Sequence, residues 1–243
     1  MENAILVALA HQNALERHLT MIANNMANMN TAGFKRGELM FSDYLAPGMP
    51  RDRRSDPPPV FVRDYRSIRD TIQGELQETE NPLDVALQGE GYFVVQGPDG
   101  ERYTRDGHFR LDETGQLVTE QGLPVLSSDG QPITFTQQET QIAIAGDGSI
   151  NTRDGPAGRL RVVRFSDPQS LEALAGGLFR ATSEAPKDVD RPFVVQGMLE
   201  ASNVQPIVEM EEMMRVHRAY QQAQNLLERE NDRIRKAIEV YSL

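Results

Sequence analysis

The sequence has 243 residues, of which 39% are hydrophobic and 25% are charged, and this composition excludes wholesale disorder. The formal net charge of −11 argues against nonspecific nucleic-acid binding, which needs a basic surface. The absence of cysteine excludes disulfides, thiolate nucleophiles and zinc–cysteine sites. No apolar stretch is long enough to predict a transmembrane helix.

The chain begins with a stretch in which apolar and small residues recur every three or four positions. This spacing predicts a heptad helix over residues 1–32, with Gly33 as its C-cap. Met1-Glu2-Asn3 lacks the basic start of a cleavable signal peptide, so these features alone favour the cytoplasm. The seam of this helix consists of Ile5, Ala8, Gln12, Leu15, Leu19, Ile22, Met26 and Met29.

Residues 33–81 are predicted to form an extended linker. Prolines are frequent between Pro47 and Pro59, and consecutive prolines favour an extended backbone without internal hydrogen bonds. The basic cluster Arg51–Arg54 is interpreted as part of a solvated loop, with contact to a membrane or an acidic partner as the alternative. Val60–Val62 is predicted to be a short strand.

Residues 82–198 are predicted to form a β-rich outer domain. Glycine-containing turns recur there at roughly eight- to twelve-residue spacing, which is typical of an antiparallel sandwich or barrel. Asp106-Gly107 is a strong hairpin signal and predicts that the strands on either side of it pair. A short helix is expected within Ser166–Leu178. The predicted strands include Leu83–Leu87, Tyr92–Val95, Arg102–Arg105 after a turn at Pro98–Gly100, His108–Leu111, Leu160–Phe165 and Phe193–Val195.

Residues 199–243 are predicted to form a second heptad helix, because neither glycine nor proline follows Pro206. Polar residues at a positions weaken a coiled coil but fix its register, which indicates a specific partner helix. The N-terminal helix is the obvious first partner, and a helix lying on its own domain is the alternative. The seam consists of Met210, Met213, His217, Tyr220, Gln224, Leu227, Asn231, Ile234, Ile238 and Tyr241.

The predicted fold class is therefore α+β, with an antiparallel β-rich domain inserted between long terminal helices of coiled-coil type. The sequence contains no P-loop, no G-x-S-x-G and no H-E-x-x-H motif. Gly89 and Gly91 lack the third glycine of a dinucleotide fingerprint. We expect a protein that is not an enzyme, with no catalytic residues, metal, cofactor, small-molecule substrate or nucleic-acid partner.

Several short motifs follow one another along the chain, namely Ala23–Asn28 followed by Thr31–Lys35, Asn81–Ala86, Gly89–Phe93, Tyr103–Gly107, Gln196–Val204, Glu209-Met210 and Arg218–Tyr220. Motifs of this kind occur in this order in bacterial flagellar rod and hook proteins. The sequence resembles this family along its whole length, with Met26 in place of the usual leucine. Within the family its length and short linker are most similar to proximal-rod proteins, with distal-rod proteins as the alternative.

The resemblance implies a structural subunit whose terminal helices pack with those of other copies and of neighbouring rod proteins around the export channel. It also implies export by the flagellar type III apparatus without a cleaved signal peptide, and a place in the periplasmic part of the basal body. The amide side chains of Asn24, Asn25 and Asn28 are then expected at the assembly interface. An exported β-rich binding module on a helical stalk is the hypothesis from a different functional class.

Overall fold

The computed structural model describes residues 2–45, 60–135, 142–153, 155–182 and 184–241. Side chains are described for residues 8–40, 67–135, 142–153, 155–182 and 184–236. The chain divides into two compact units. The helical unit comprises Met1–Ala27, Gly37–Arg69 and Gln205–Leu243, and the β unit comprises Asn28–Arg36 and Asp70–Val204. Two terminal helices bracket an antiparallel β region, which confirms the predicted α+β class.

The helical unit is built from two long helices and one β-hairpin. Helix α1 spans Glu2–Ala27 and helix α2 spans Pro206–Tyr241. Pro206 suits the first turn of α2, where a backbone N–H has no partner within the helix. The two helices pack against each other, and both strands of the hairpin contact α1.

The sequence predicted that helix α1 runs to residue 32 and is capped by Gly33. In the structure α1 ends earlier, at Ala27. Asparagine disfavours a helix interior because its side chain competes for nearby backbone groups. Here Asn28 accepts hydrogen bonds from Thr31 at both its carbonyl and its side-chain oxygen, which forms a turn. Gly33 adopts a φ of 67° beyond this turn, so its conformation serves a purpose other than capping.

The predicted linker contains a hairpin, which the sequence analysis did not anticipate. Strand β1 (Gly37–Leu45) pairs antiparallel with β2 (Val60–Arg69), from Gly37 opposite Arg69 to Leu45 opposite Val60. The short strand expected at Val60–Val62 is thus the start of a ten-residue strand. The hairpin forms by backbone pairing between segments that are distant in sequence. The proline content between them favoured a linker and gave no sign of this pairing. The proline loop and Arg51–Arg54 lie outside the described residues.

The β unit contains fifteen strands in the described ranges, all paired antiparallel. They are β3 Leu76–Glu78, β4 Val85–Leu87, β5 Tyr92–Gly97, β6 Gly100–Thr104, β7 Phe109–Leu111, β8 Leu117–Thr119, β9 Ala143–Ile144, β10 Ser149–Thr152, β11 Gly155–Arg159, β12 Val162–Arg164, β13 Leu171–Ala173, β14 Leu178–Ala181, β15 Lys187–Asp188, β16 Val194–Gln196 and β17 Met198–Glu200. The largest sheet has the order β13-β14-β6-β5-β12-β15. Smaller sheets are β11-β10-β9, β16-β4, β17-β3 and β7-β8.

Strand β5 is buried on both faces, which explains the continuous apolar run Tyr92–Val95. Successive side chains of a strand point to opposite faces, so Phe93 and Tyr92 enter different cores. Phe93 meets Phe109 edge to face at a centroid distance of 5.2 Å in the larger core. Tyr92 lies in the smaller core, where Tyr103 meets Phe165 at 4.9 Å.

Asp106-Gly107 is not a hairpin turn, so this prediction is wrong. Strand β6 before it pairs with β5 and β14, whereas β7 after it pairs with β8. Gly107 instead allows a close backbone approach, because a Cβ there would lie 1.6 Å from the carbonyl oxygen of Val85. The turn at Pro98–Gly100 does close the β5–β6 hairpin, as predicted. The helix expected within Ser166–Leu178 is replaced by two three-residue 3-10 turns on either side of β13.

Burial of Tyr103 predicts a loss of stability in alkaline solution. Burial, reinforced by Glu101, raises the pKa of Tyr103 to about 12 from the ordinary value of 10.0. Because the folded pKa exceeds the unfolded one, stability present below pH 10 is lost as the pH rises through 12. Tyr103→Phe should remove this pH dependence, because phenylalanine has no group that ionises. The free energy of unfolding in urea, measured for both chains at a series of pH values, checks this prediction. If it falls with pH equally in both chains, the raised pKa of Tyr103 is not its cause.

Candidate functional site

A buried group of three charged side chains lies in the β unit, and we call Lys35, Arg105 and Glu200 the ion cluster. Lys35 follows the turn after α1, Arg105 follows β6, and Glu200 ends β17. Their side chains are 5%, 5% and 1% exposed, respectively. Three positions far apart in sequence therefore meet in an environment where an unpaired charge would be costly.

Glu200 pairs with both cations, one through each carboxylate oxygen. Lys35 Nζ donates to Oε1 at 2.6 Å, and Arg105 Nε donates to Oε2 at 2.6 Å. Hydrogen bonds between charged groups are stronger than neutral ones, and both distances lie at the short end of their range. Burial lowers the pKa of Lys35, while the hydrogen bond and charge of Glu200 oppose that shift.

The remaining donors of Arg105 hold the loop that carries Gly89 and Gly91. Nη1 donates to the carbonyl oxygen of Gly91 at 2.6 Å, and Nη2 donates to the carbonyl oxygens of Gly89 and Leu87. A planar guanidinium with five fixed donors suits this task better than lysine would. Arg105 thus connects the carboxylate of Glu200 to a surface loop.

Asn203 ties together three backbone segments beside the ion cluster. Its side-chain oxygen accepts from the N–H of Arg36 at 2.7 Å, and its Nδ2 donates to the carbonyl oxygens of Asp70 and Ile72, each at 3.1 Å. Lys35 Nζ also donates to the carbonyl oxygen of Ile72 at 2.7 Å. The β unit begins or ends at Arg36, Asp70 and Val204, and Asn203 therefore holds these three places next to one another.

The helical unit has its own buried seam, on which α1 and α2 meet. Among the helix residues whose side chains the structure describes, the buried residues of α2 are Glu209, Val216 and Ala223, which recur every seven residues. Those of α1 are Ala14, Ile22 and Asn25. A seven-residue repeat of buried positions is the pattern expected where one helix lies along another.

Asn25 is only 1% exposed and forms its hydrogen bonds within the helical unit. Its Nδ2 donates to the carbonyl oxygen of Gly37 at 2.9 Å, and the N–H of Gly37 donates back to Oδ1 at 2.9 Å. Nδ2 also lies 3.2 Å from Glu209 Oε2, so the amide links α1, β1 and α2. Asn24 is exposed and Asn28 is half-buried. A role of these residues at contacts with other subunits stays a prediction.

The predicted seam residues fall into distinct environments. On α1 the seam is buried at Ile22, exposed at Met29 and half-buried at Ala8, Gln12, Leu15, Leu19 and Met26. On α2 the d positions Met213, Tyr220, Leu227 and Ile234 are half-buried, whereas Met210, His217, Gln224 and Asn231 are exposed. The buried residues Glu209, Val216 and Ala223 each stand one residue before a predicted a position. Ile5, Ile238 and Tyr241 lie in the helices, at positions whose side chains are outside the described part.

The sequence analysis did not single out any member of the ion cluster. Each is a charged residue inside a motif that was quoted only for its resemblance, and no local spacing links residues 35, 105 and 200. The only local signal is that Lys35 and Glu200 stand next to apolar residues, Phe34 and Leu199.

Among the described residues there is no group of three or more potential metal ligands. No described helix combines the length and apolar character that a membrane span requires.

Comparison with known proteins identifies the family. The family described as "Flagella basal body rod protein" matches residues 5–35, "Flagellar hook protein FlgE/F/G D1 domain" matches 86–152, and "Flagellar basal body rod FlgEFG protein C-terminal" matches 195–240. The flagellar basal-body rod protein FlgF of Caulobacter vibrioides is 37% identical over 241 residues, which cover 98% of each chain. The chain belongs to the flagellar basal-body rod protein family.

Other members of the rod-protein family are also similar to this chain over most of their length. FlgF of Rhizobium meliloti is 33% identical over 98% of each chain. FlgG of Caulobacter vibrioides is 34% identical over 90% of this chain and 91% of its own. Each of the three matched segments contains one member of the ion cluster, namely Lys35, Arg105 and Glu200. The protein is a structural subunit of the bacterial flagellar rod, and the cluster joins its family segments.

Proposed function

We propose that this rod protein is a proximal-rod subunit of the FlgF type. The support is the extent of similarity within one organism. FlgF of Caulobacter vibrioides is 37% identical over 98% of each chain, whereas its FlgG is 34% identical over 90% of this chain. A distal-rod subunit of the FlgG type is the alternative.

Polymerisation through the terminal helices is the mechanism that we propose for assembly. The observation that carries it is the apolar surface that α2 keeps after it pairs with α1. Ile207, Met210 and Met214 recur on one side of α2 and are 75%, 52% and 51% exposed. Covering such a surface with another helix removes apolar area from water and stabilises the contact.

The polar side chains of α2 suit the same proposal. His217, Gln224 and Asn231 recur every seven residues and are exposed in the single subunit. Polar a positions cost stability in a coiled coil but select one register and one set of partners. In the assembled rod these side chains would align neighbouring subunits, which gives the coiled-coil packing that the heptads predict.

The partners that we propose are other copies of this chain, neighbouring rod proteins and the flagellar type III export apparatus. The proposed site is the periplasmic part of the basal body, reached without cleavage of a signal peptide. The test is to purify basal bodies from cells that carry an epitope-tagged chain, and to locate the tag along the rod by immunogold labelling. Signal on the proximal segment supports the FlgF type, and signal on the distal segment supports the FlgG type.

A helix-stalked β-rich binding module was the alternative from the sequence, and membership of the rod-protein family argues against it. It predicts the tagged chain on the outer cell surface and its absence from purified basal bodies. That distribution would contradict the rod assignment.

Leu227→Asp is expected to abolish motility by blocking assembly while the β unit stays folded. Leu227 is half-buried at a predicted d position of α2, and packing against another helix would remove an introduced carboxylate from water without a counter-charge. Ile234→Asp should act in the same way. Swimming assays and the rod content of basal bodies measure the effect. Glu228→Lys is the matched control on the exposed face and should swim normally; equal swimming of all variants would refute the seam assignment.

A further inference from the structure

A cavity of about 170 Å³ in the β unit opens beside the ion cluster. Its basic side is formed by Lys35, Arg105 and Arg164, and the loop Gly89–Gly91 forms its rim. Tyr92 and Phe165 supply an apolar wall. The volume is that of a small molecule or of the end of a side chain. Neither the helices nor the assembly proposal gives this cavity a role.

The buried charges on this cavity do not balance. Lys35 and Arg105 are cations and Glu200 is the one anion among the three, so the ion cluster carries one excess positive charge. Asp70 also attracts Lys35, but its carboxylate is only half-buried and accepts the N–H of Ile72. Buried charge is stabilised only when a counter-charge or hydrogen-bonding groups compensate it.

The cavity also offers hydrogen-bond donors. An ammonium group has three N–H donors, and Lys35 Nζ uses two of them, on Glu200 and on the carbonyl oxygen of Ile72. Arg164 is exposed at the cavity, and the described residues provide no acceptor for its guanidinium. Lys35 and Arg164, which both line the cavity, thus retain N–H donors for a ligand.

We propose that this cavity is an oxyanion-binding site that takes a carboxylate or phosphate group. A bound oxyanion accepts from Lys35 and Arg164 and neutralises the excess charge of the ion cluster. The aromatic wall limits water around it, and a hydrogen bond between charged partners is strengthened where water is excluded. The source of the group is either a free anion or an acidic side chain of a second copy of the chain.

Glu90 is the acidic side chain that already lines the cavity. It is exposed on the rim between Gly89 and Gly91, so its carboxylate repels an incoming anion. The negative charge of Glu90 lowers the affinity of the site for an anion, whereas the positive charge of Arg164 raises it. Neutralising Arg164 and neutralising Glu90 should therefore change the affinity for an anion in opposite directions.

The test is a titration of the full chain with inorganic phosphate, and separately with acetate, at constant ionic strength, followed by amide NMR signals of Gly89 and Gly91. Saturable shifts at these residues are expected. Arg164→Gln should weaken binding about tenfold, the size of one charged hydrogen bond. Glu90→Gln should strengthen binding severalfold. Arg153→Gln, an exposed arginine outside the cavity, is the control and should bind as the natural chain does.

Self-association of the same variants, measured by sedimentation, separates the two sources of the anion. If Arg164→Gln and added phosphate both weaken self-association, the site takes an acidic side chain of another copy. If neither changes it, the site takes a free anion. Absence of saturable binding by both probes, or equal binding by Arg164→Gln and Arg153→Gln, overturns the proposal. The site does not depend on the rod assignment, so basal-body localisation neither supports nor refutes it.

Discussion

Glu200→Gln is expected to lower the free energy of unfolding of the β unit by about 3 kcal/mol, since removing one partner of a buried ion pair leaves its counterpart uncompensated. Here one carboxylate serves two cations, at 2.6 Å from each, and its side chain is 1% exposed. Glutamine keeps the shape and one acceptor oxygen, but it places its amide donors against groups that are themselves donors. The loss is therefore electrostatic and leaves no cavity.

Urea unfolding of the purified chain, followed by the amide NMR signals of residues in the β unit, measures this change. The matched control is Glu172→Gln, which removes the carboxylate from a pair with Arg180 whose side chains are both 46% exposed. Exposed pairs contribute at most about 1 kcal/mol, so the control should differ little from the natural chain. Equal unfolding midpoints for the two variants would show that the ion cluster does not support the fold.

The part of the fold that the sequence predicted correctly depends on local periodicity. Both terminal helices have apolar residues at three- and four-residue spacing, and this signal needs no knowledge of the partner. The predicted d positions of α2 are half-buried in the single subunit, and their role at an assembly interface stays a prediction. Within the single subunit the buried residues of α2 stand one position before the predicted a positions, and the first of them, Glu209, is a carboxylate that looks like a surface residue in the sequence. Its hydrogen bond from Asn25 becomes visible only in three dimensions.

The parts that the sequence did not predict depend on contacts between distant residues. The hairpin β1–β2 forms between segments separated by a proline-rich stretch whose composition favours a linker. Asp106-Gly107 has the composition of a hairpin turn, but the neighbouring strands find other partners. The ion cluster joins residues 35, 105 and 200, and a charged residue carries no sequence signal for burial. Tertiary pairing therefore overrides local preference at each of these places.

Gly33 offers the sharpest test of how the segment after α1 joins the β unit. Its φ of 67° lies in the left-handed region, which costs an L-residue roughly 1–2 kcal/mol. A Cβ at this position would also lie 2.5 Å from the carbonyl carbon of Arg105 and 2.7 Å from the N of Asp106, and both are backbone atoms. The N–H of Gly33 donates to the carbonyl oxygen of Glu200 at 2.7 Å. The collision can be relieved only by moving backbone that positions the ion cluster.

We therefore expect Gly33→Ala to destabilise the β unit by roughly 2–5 kcal/mol, the sum of conformational strain and a forced backbone shift. Gly130→Ala is the matched control, because Gly130 has a φ of 74° but no atom within 4 Å of its would-be Cβ. The control should cost only about 1 kcal/mol, which is the conformational term alone. Urea unfolding of both variants gives the difference between them. If the two midpoints coincide, the close approach of Gly33 to Arg105 contributes nothing, and the segment after α1 is not held against the β unit by this contact.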